Sequence, residues 1–425
     1  MPNLGYATTQ EGHFKNTTLI VPADESVCGM LFDISGFDNP FDDYLDIYYS
    51  FGSGQVVQIN SLNDAIELGL GDNNFLNGLV YYHISMFYDY VGDNRPLYLT
   101  FADCSSDWDA IGLMQRESGG RIFQVGIWTY QQMWSVRNDN SIEFTNLITQ
   151  IETSVEELTG KIGQSSFSPT PLSVVLSANT SVVSNIEKVL KKLPDATVLE
   201  APKVSILLCQ NGSDYIKSKQ SLNPQDAPFS SMGFALAALS LADAEKCIGA
   251  VSDFNLNKNE QFRYPEIPIG DGYSIDDEVN RVVLNTIATL GYIVPVIYDG
   301  KDGECFFNSD TTLSRGDYKT IANNRVIHKC RRSVYTAIYP YINSDHIYES
   351  GQRGISSSSI QEISNAIGDI LSGNLINKGG EYQISGYNID IFSSDDILND
   401  GVVFVKYSVV PVNYNDVLTD TVTSE

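Results

Sequence analysis

Residues 1 to about 18 are polar without clear periodicity, and short apolar runs then follow in LIVPADESVCGMLFDI, broken by Pro22 and Gly29. The pattern predicts an extended arm leading into a strand. LDIYYSFGSGQVVQINS reads as two strands about Gly52 and Gly54, and SLNDAIELGL as a short helix opened by a Ser61–Asp64 capping box. Asn74 to Tyr90 is predicted as an aromatic-rich helix.

The middle of the chain alternates between two periods. RPLYLTFAD is predicted as a strand, DWDAIGLMQR as a helix and RIFQVGIW as a strand. SIEFTNLITQIETSVEELTG is predicted as one long helix, with Phe144, Leu147, Ile148, Ile151, Val155 and Leu158 at helical spacing. PLSVVLSAN and KVSILLCQ are apolar strands flanking a helix in SVVSNIEKVLKKL, and SSMGFALAALSLADAEKCIGAV reads as a small-residue helix. Continuous apolar strands alternating with amphipathic helices predict an α/β class: a parallel or mixed sheet covered by helices on both faces.

In SIDDEVNRVVLNTIATLGYIVPVIYDG, Ser274 and Asp277 form a second capping box, and Gly291 stops the helix before the strand YIVPVIY. CFFNS is a further strand, helices are predicted from about Arg315 to Tyr339 and from Ser358 to Leu371, and the chain closes on two β-rich runs, EYQISGYNIDIFSS and GVVFVKYSVVPVNY. A long β-rich run next to a terminus is an unpaired edge, which a neighbouring copy could complete by strand donation. Head-to-tail donation that fails to close a ring makes a helical polymer.

The 425 residues carry 53 Asp and Glu against 26 Lys and Arg, a net charge of −27, which disfavours direct nucleic-acid binding and anionic membrane surfaces. The longest apolar stretch, Met232 to Ala242, is too short to span a bilayer, and MPNLGYATTQEGHF has no signal-peptide pattern, so cytosolic synthesis without secretion by a leader is expected. The 24 Tyr suit either assembly interfaces or half-buried strands. Six cysteines without a CxxC pair predict buried thiols and no disulfides.

Signatures of chemistry are sparse. LTGKIGQS, with Gly160 and Lys161, lacks the remaining P-loop residues, GLGDNN lacks the third Gly of a dinucleotide fingerprint, and the four His form no zinc pair. FDNPFDDYLD lacks the Gly and Glu of an EF-hand, so no metal and no cofactor is expected. The remaining enzymatic candidate is the strand-to-helix turn LTFADCSSDWD, with Asp103, Cys104 and Asp107. There Asp107 as helix N-cap beside a half-buried Cys104 is the competing structural explanation.

NNRVIHKCRRSVYTAIYPYIN stands apart, because no Asp or Glu occurs between Asp317 and Asp345. At about 100° per residue Arg325, Lys329 and Arg332 share one stripe, opposite Val326, Cys330, Val334, Ala337 and Ile338. This predicts a buried apolar face and an outward basic face, either solvated or docked on an acidic protein such as another copy of this chain.

This stretch, within YIVPVIYDGKDGECFFNSDTTLSRGDYKTIANNRVIHKCRRSVYTAIYPYIN, resembles the contractile tail sheath proteins of bacteriophages and phage-derived contractile injection systems. So do GYNIDIFSSDDILNDGVVFVKYSVVPVNYND, VVQINSLNDAIELGL, VYYHISMFYDYVGDNRPLYLTFAD and the small-residue helix before FNLNKN. The resemblance implies a non-enzymatic subunit that polymerises helically around an inner tail tube, between baseplate and tail terminator proteins, and contracts to drive the tube through a cell envelope. It implies a linker arm at 1–30, core at 31–95, an α/β middle or outer domain at 96–292, an inner sheath domain at 293–399 and a C-terminal strand and arm at 400–425. Lys319, Arg325, Lys329, Arg331 and Arg332 would contact tube or neighbour, and Val402, Phe404, Tyr407, Val409 and Val412 would form the donated strand.

Overall fold

The computed structural model describes residues 24–37, 54–71, 75–158, 170–181, 193–213, 216–217, 229–258, 262, 264–268, 273–274, 278–301, 303–341, 354–376, 382–393 and 403–412. Outside them lie the arm before residue 24, the strand expected before Gly52, the acidic loop with Asp38 to Asp46, the Lys161 turn, the helix expected over 182–192, the Asp277 cap and the tail after 412.

In chain order, β1 (Cys28–Asp33) and β2 (Val56–Ile59) precede α1 (Leu62–Glu67) and α2 (Phe75–Val91), and β3 (Leu97–Ala102), α3 (Asp109–Glu117) and β4 (Gln124–Gln132) follow. A hairpin of β5 (Trp134–Val136) and β6 (Ile142–Phe144) leads to α4 (Leu147–Leu158), β7 (Ser173–Asn179), β8 (Val204–Leu207) and β9 (Gln210–Asn211). Next come α5 (Met232–Leu241), β10 (Pro265–Ile267), β11 (Tyr273–Ser274), α6 (Glu278–Thr289), β12 (Tyr292–Ile293), β13 (Pro295–Val296) and β14 (Phe306–Phe307). The chain continues through α7 (Ile321–Ile338), α8 (Ser357–Leu371), β15 (Ile384–Ser393) and β16 (Val403–Pro411).

Among the described residues the main sheet has seven strands in the order β12-β8-β7-β4-β1-β3-β2. Its pairs are parallel except β2 with β3, so the expected mixed α/β sheet is present. β1, β3, β7 and β8 are buried along their whole lengths, as strands covered on both faces must be. Register assigns the covers: Gly29 pairs with Val125, and Gly126 stands one position on, so the two glycines face opposite sides. A Cβ at Gly29 would sit 2.7 Å from Met114 of α3, and one at Gly126 would sit 2.7 Å from Leu236 and 2.8 Å from Met232 of α5. Each glycine therefore admits a helix close to the sheet.

Helix α5 is buried all round, and α2 lies against it so closely that a Cβ at Gly233 would collide with the His83 carbonyl oxygen. No helix among the described residues is long and apolar enough to cross a membrane. A second, smaller core joins α7, α8 and the β15–β16 ribbon through Val326, Cys330, Val334, Ile363, Ile367 and Leu371.

Several local rules operate as the sequence predicts. The Ser61 hydroxyl accepts from the Asp64 amide at 3.1 Å while the Asp64 carboxylate accepts from the Asn60 amide at 2.7 Å, and Gly291 has φ +88 after α6. Other expectations need correction. The helix predicted from Ser141 starts only at Leu147, because Ile142–Phe144 pairs with β5 and Thr145 is tied to the Met133 carbonyl. The small-residue helix ends at Leu241 rather than running on toward Val251. YIVPVIY divides at Pro295, which cannot donate to a sheet: Tyr292–Ile293 joins the main sheet and Pro295–Val296 pairs with β14. The helix predicted from Arg315 starts at Ile321, where the Thr320 hydroxyl caps the Asn323 amide.

The α2–α5 contact sets a stability test. Gly233→Ala forces a methyl against the His83 carbonyl and should lower stability by about 1–3 kcal/mol in urea unfolding. Gly373→Ala, where an added Cβ meets nothing within 4 Å, should leave the midpoint close to that of the parent chain.

Candidate functional site

The apolar stripe of α7 faces the second core as expected, but the basic stripe does not face outward. Arg325, Lys329 and Arg332 are 0%, 2% and 1% exposed. The expectation of an outward basic face is corrected by what covers it, namely the edge of the α/β layer, which supplies mainly carbonyl oxygens rather than carboxylates. Helical periodicity distinguishes the two stripes; it carries no information that both are covered.

Arg325 terminates α5. Its guanidinium donates to the carbonyls of Leu239 at 2.9 Å, Ala242 at 3.0 Å, Asp243 at 3.3 Å and Glu25 at 3.3 Å. The last carbonyls of a helix lack intrahelical partners and carry the negative end of its dipole, so a cation placed there satisfies both. Arg332 donates to the carbonyls of Ile122 and Pro171 at 2.8 Å each and to that of Gly120, with its Cζ 4.2 Å from the Phe123 ring centroid. Burial lowers the proton affinity of both guanidiniums. Between them the Lys329 ammonium pairs with the Glu25 carboxylate at 2.7 Å, both side chains being nearly enclosed. Nothing in the sequence singles out Glu25, which is one acid among 53. His328 is also buried, and its imidazole is held well below its ordinary value first by desolvation and then by Lys203, Arg332, Arg331 and Arg325.

Arg331 is half-buried and Lys319 exposed, so the five predicted contact residues divide into three inside and two at the surface. Arg331 lies near Tyr407 of β16, whose phenol is pushed up by burial and opposed by that charge. The ribbon pairs Phe392 with Phe404, Asp390 with Lys406 and Asn388 with Ser408. Tyr407 and Val409 turn inward to the second core, while Phe404 stacks on Phe392 at 5.2 Å, the two rings 47% and 50% exposed. Val412 lies exposed just beyond β16, and Val402 falls outside the described residues. Among the described residues β15 and β16 have no strand neighbour but each other, so each keeps one open edge.

The strand-to-helix turn offers little nucleophilic chemistry. Burial pushes the Cys104 thiol up, and the carboxylates of Asp33, Asp103 and Asp107 push it further, the reverse of thiolate activation. Trp108, not Asp107, is the N-cap of α3, with Asp107 accepting from the Asp109 amide at 3.2 Å. Asp103, Asp107, Asp109 and Arg116 line an open depression of about 300 Å³. Beside it, at the point where the strand order reverses, the buried Asp33 carboxylate accepts from the amides of Ser35 at 3.0 Å and Cys104 at 3.1 Å. It also accepts from the Thr129 hydroxyl at 2.6 Å and the Gln131 side chain at 3.0 Å. At that end of the sheet, where open α/β sheets bind ligands, the Asp33 carboxylate is therefore taken up by the chain's own donors.

No family model and no curated protein matches the sequence. Solved structures match its fold. The chain aligns over 100% of its length with 99% of a chain of the PVC sheath complex in its contracted state, from an extracellular contractile injection system, at 12% identity and TM-score 0.56. It aligns over 98% with 98% of a chain of the contracted helical sheath of the anti-feeding prophage, at 13% identity and TM-score 0.55. The six-fold symmetrised baseplate of the anti-feeding prophage gives 11% identity, TM-score 0.54 and 98% coverage of both chains. The chain thus has the fold found in contractile injection system sheaths.

The two classes of cation predict different mutational outcomes. Arg332→Ala leaves buried carbonyls unpaired and should cost upwards of about 3 kcal/mol in urea unfolding. Lys319→Ala, at an exposed position, should stay within about 0.5 kcal/mol of the parent chain, as surface changes do.

Proposed function

We propose that this chain is a structural subunit of a contractile sheath that polymerises helically around an inner tube. In this reading it contracts to drive that tube through a target envelope. The observation that carries the proposal is the end-to-end agreement in fold with the contracted PVC sheath chain, which leaves neither chain with an unmatched domain. Agreement with an anti-feeding prophage baseplate structure supports a second reading, a ring component at the base of such a tail.

The open edges of the β15–β16 ribbon fit a polymer joined by strand exchange. In this reading the arms at 1–30 and 400–425 reach neighbouring copies, the strand with Val402, Phe404, Tyr407, Val409 and Val412 stays paired with β15 and shares its open edge with a neighbour, and each added backbone hydrogen bond contributes about 1 kcal/mol. Residues 31–95 and 96–292, which share the seven-stranded sheet, form the core and middle part together, and 293–399 the inner domain nearest the tube. Arg331 and Lys319, the cations of this helix region left at the surface, are the contacts for a tube or neighbouring subunit. Contraction is a rigid-body change between two packings of one subunit fold, tethered throughout by the arms. Partners are further copies, the tube, and baseplate and terminator proteins, in a tail particle assembled in the cytoplasm.

Electron microscopy of purified protein tests the proposal: cogwheel-like tubes are expected, and monodisperse particles under all assembly conditions would sink it. Deleting residues 413–425, which leaves β16 on the second core, should leave folded monomers that form no tubes, whereas normal tubes from the truncated chain would remove the C-terminal arm from strand exchange. Lys319→Glu with Arg331→Glu should impair assembly without a change in the unfolding midpoint.

A further inference from the structure

Both ends of the described chain converge on α7, from opposite sides. On its apolar stripe, Val326, Cys330 and Val334 belong to the core that β16 covers with Val403, Val405, Tyr407 and Val409. On its basic stripe, two cations hold one residue, Glu25: Lys329 takes the carboxylate at 2.7 Å and Arg325 the carbonyl at 3.3 Å. The same carbonyl accepts from the Gln124 side chain at 2.9 Å, and the next, of Ser26, accepts from the Ser240 hydroxyl at 2.8 Å. The backbone two to three residues before β1 is thus gripped by α5, β4 and α7 together, although it belongs to no element of its own.

We infer that Glu25 is a clamp, and that α7 is the strut which passes tension between the chain segment before residue 24 and the β15–β16 ribbon. The inference rests on the proposed sheath reading, in which those two regions attach to other copies. Tension entering along the N-terminal segment first meets the Glu25 carboxylate and carbonyl. Both are fastened to α7, and the carbonyl also to Gln124 of β4, so the share of the pull carried by α7 reaches the ribbon across one helix diameter without running along β1. Without this fastening the pull would fall on the first hydrogen bonds of β1, which would open one after another. A buried ion pair suits the task better than an apolar contact: its optimum is narrow in distance and direction, and separating it leaves two desolvated charges unpaired.

The test uses the full chain with Glu25→Gln and Lys329→Met combined, which removes both charges and leaves neither one buried alone. Glu25→Asp, shorter by one methylene, is the milder second variant should the pair fail to fold. Arg137→Ala, which breaks the exposed Arg137–Glu143 pair, is the control. By hydrogen exchange on the unassembled protein, amides at residues 24–28 should open about tenfold faster in the double variant, with Val125–Ile127 and the control unchanged. Unchanged exchange at 24–28 overturns the clamp. In assembled tubes the double variant should dissociate under lower shear than parent and control, and equal resistance overturns the force path even where exchange is accelerated. Parent chains that form no tubes under any condition remove the sheath reading and the force path with it, while exchange at 24–28 still decides the clamp.

Discussion

Positive charge buried against backbone carbonyl oxygens is the constraint on which this structure depends. Removing a guanidinium or ammonium from water is costly, and the cost is offset only where acceptors stand ready in fixed positions. Arg325 requires the end of α5, Arg332 requires the Gly120–Ile122 turn and Pro171, and Lys329 requires Glu25. These acceptors come from separate parts of the α/β layer, so α7 fits only when that layer is fully assembled. The smaller core formed by α7, α8 and the ribbon is thereby fixed to the larger one through polar contacts, although the two clusters are distinct in their apolar packing.

Much of the architecture could be read from residue order because it follows local rules. Apolar strands with helices between them gave the mixed sheet, the Ser61 box and Gly291 marked helix ends, and the β-rich run GVVFVKYSVVPVNY contains the strand β16. The failures came where tertiary contacts override periodicity. Phe144 keeps helical spacing with Leu147 and Ile148, yet its backbone pairs with Trp134. The tyrosines divide as well: Tyr88, Tyr98 and Tyr292 lie in the main core, whereas Tyr264, Tyr318 and Tyr382 are exposed.

The basic stripe is the most instructive case. An acid-free run of cations suggests a partner elsewhere, because ion pairs are the usual answer to charge. Here most of the answer comes from peptide dipoles, which leave no mark in composition. Lys329 is answered with a charge, from Glu25, and at some 300 positions' distance nothing local connects the two. The two cations that stay at the surface, Lys319 and Arg331, are indistinguishable by residue type from the three that do not.

The hydrogen-bonded end of β1 around Asp33 has a mechanical corollary. A sheet whose inner strand β1 is tied at its end by four internal donors, and whose helices touch it through glycines, is close-packed there and has low compressibility. Such a layer stores little elastic energy when squeezed or twisted. In the proposed sheath it would act as a stiff tooth on a gear rather than as a spring, so the work of a stroke would have to reside in the seams between teeth.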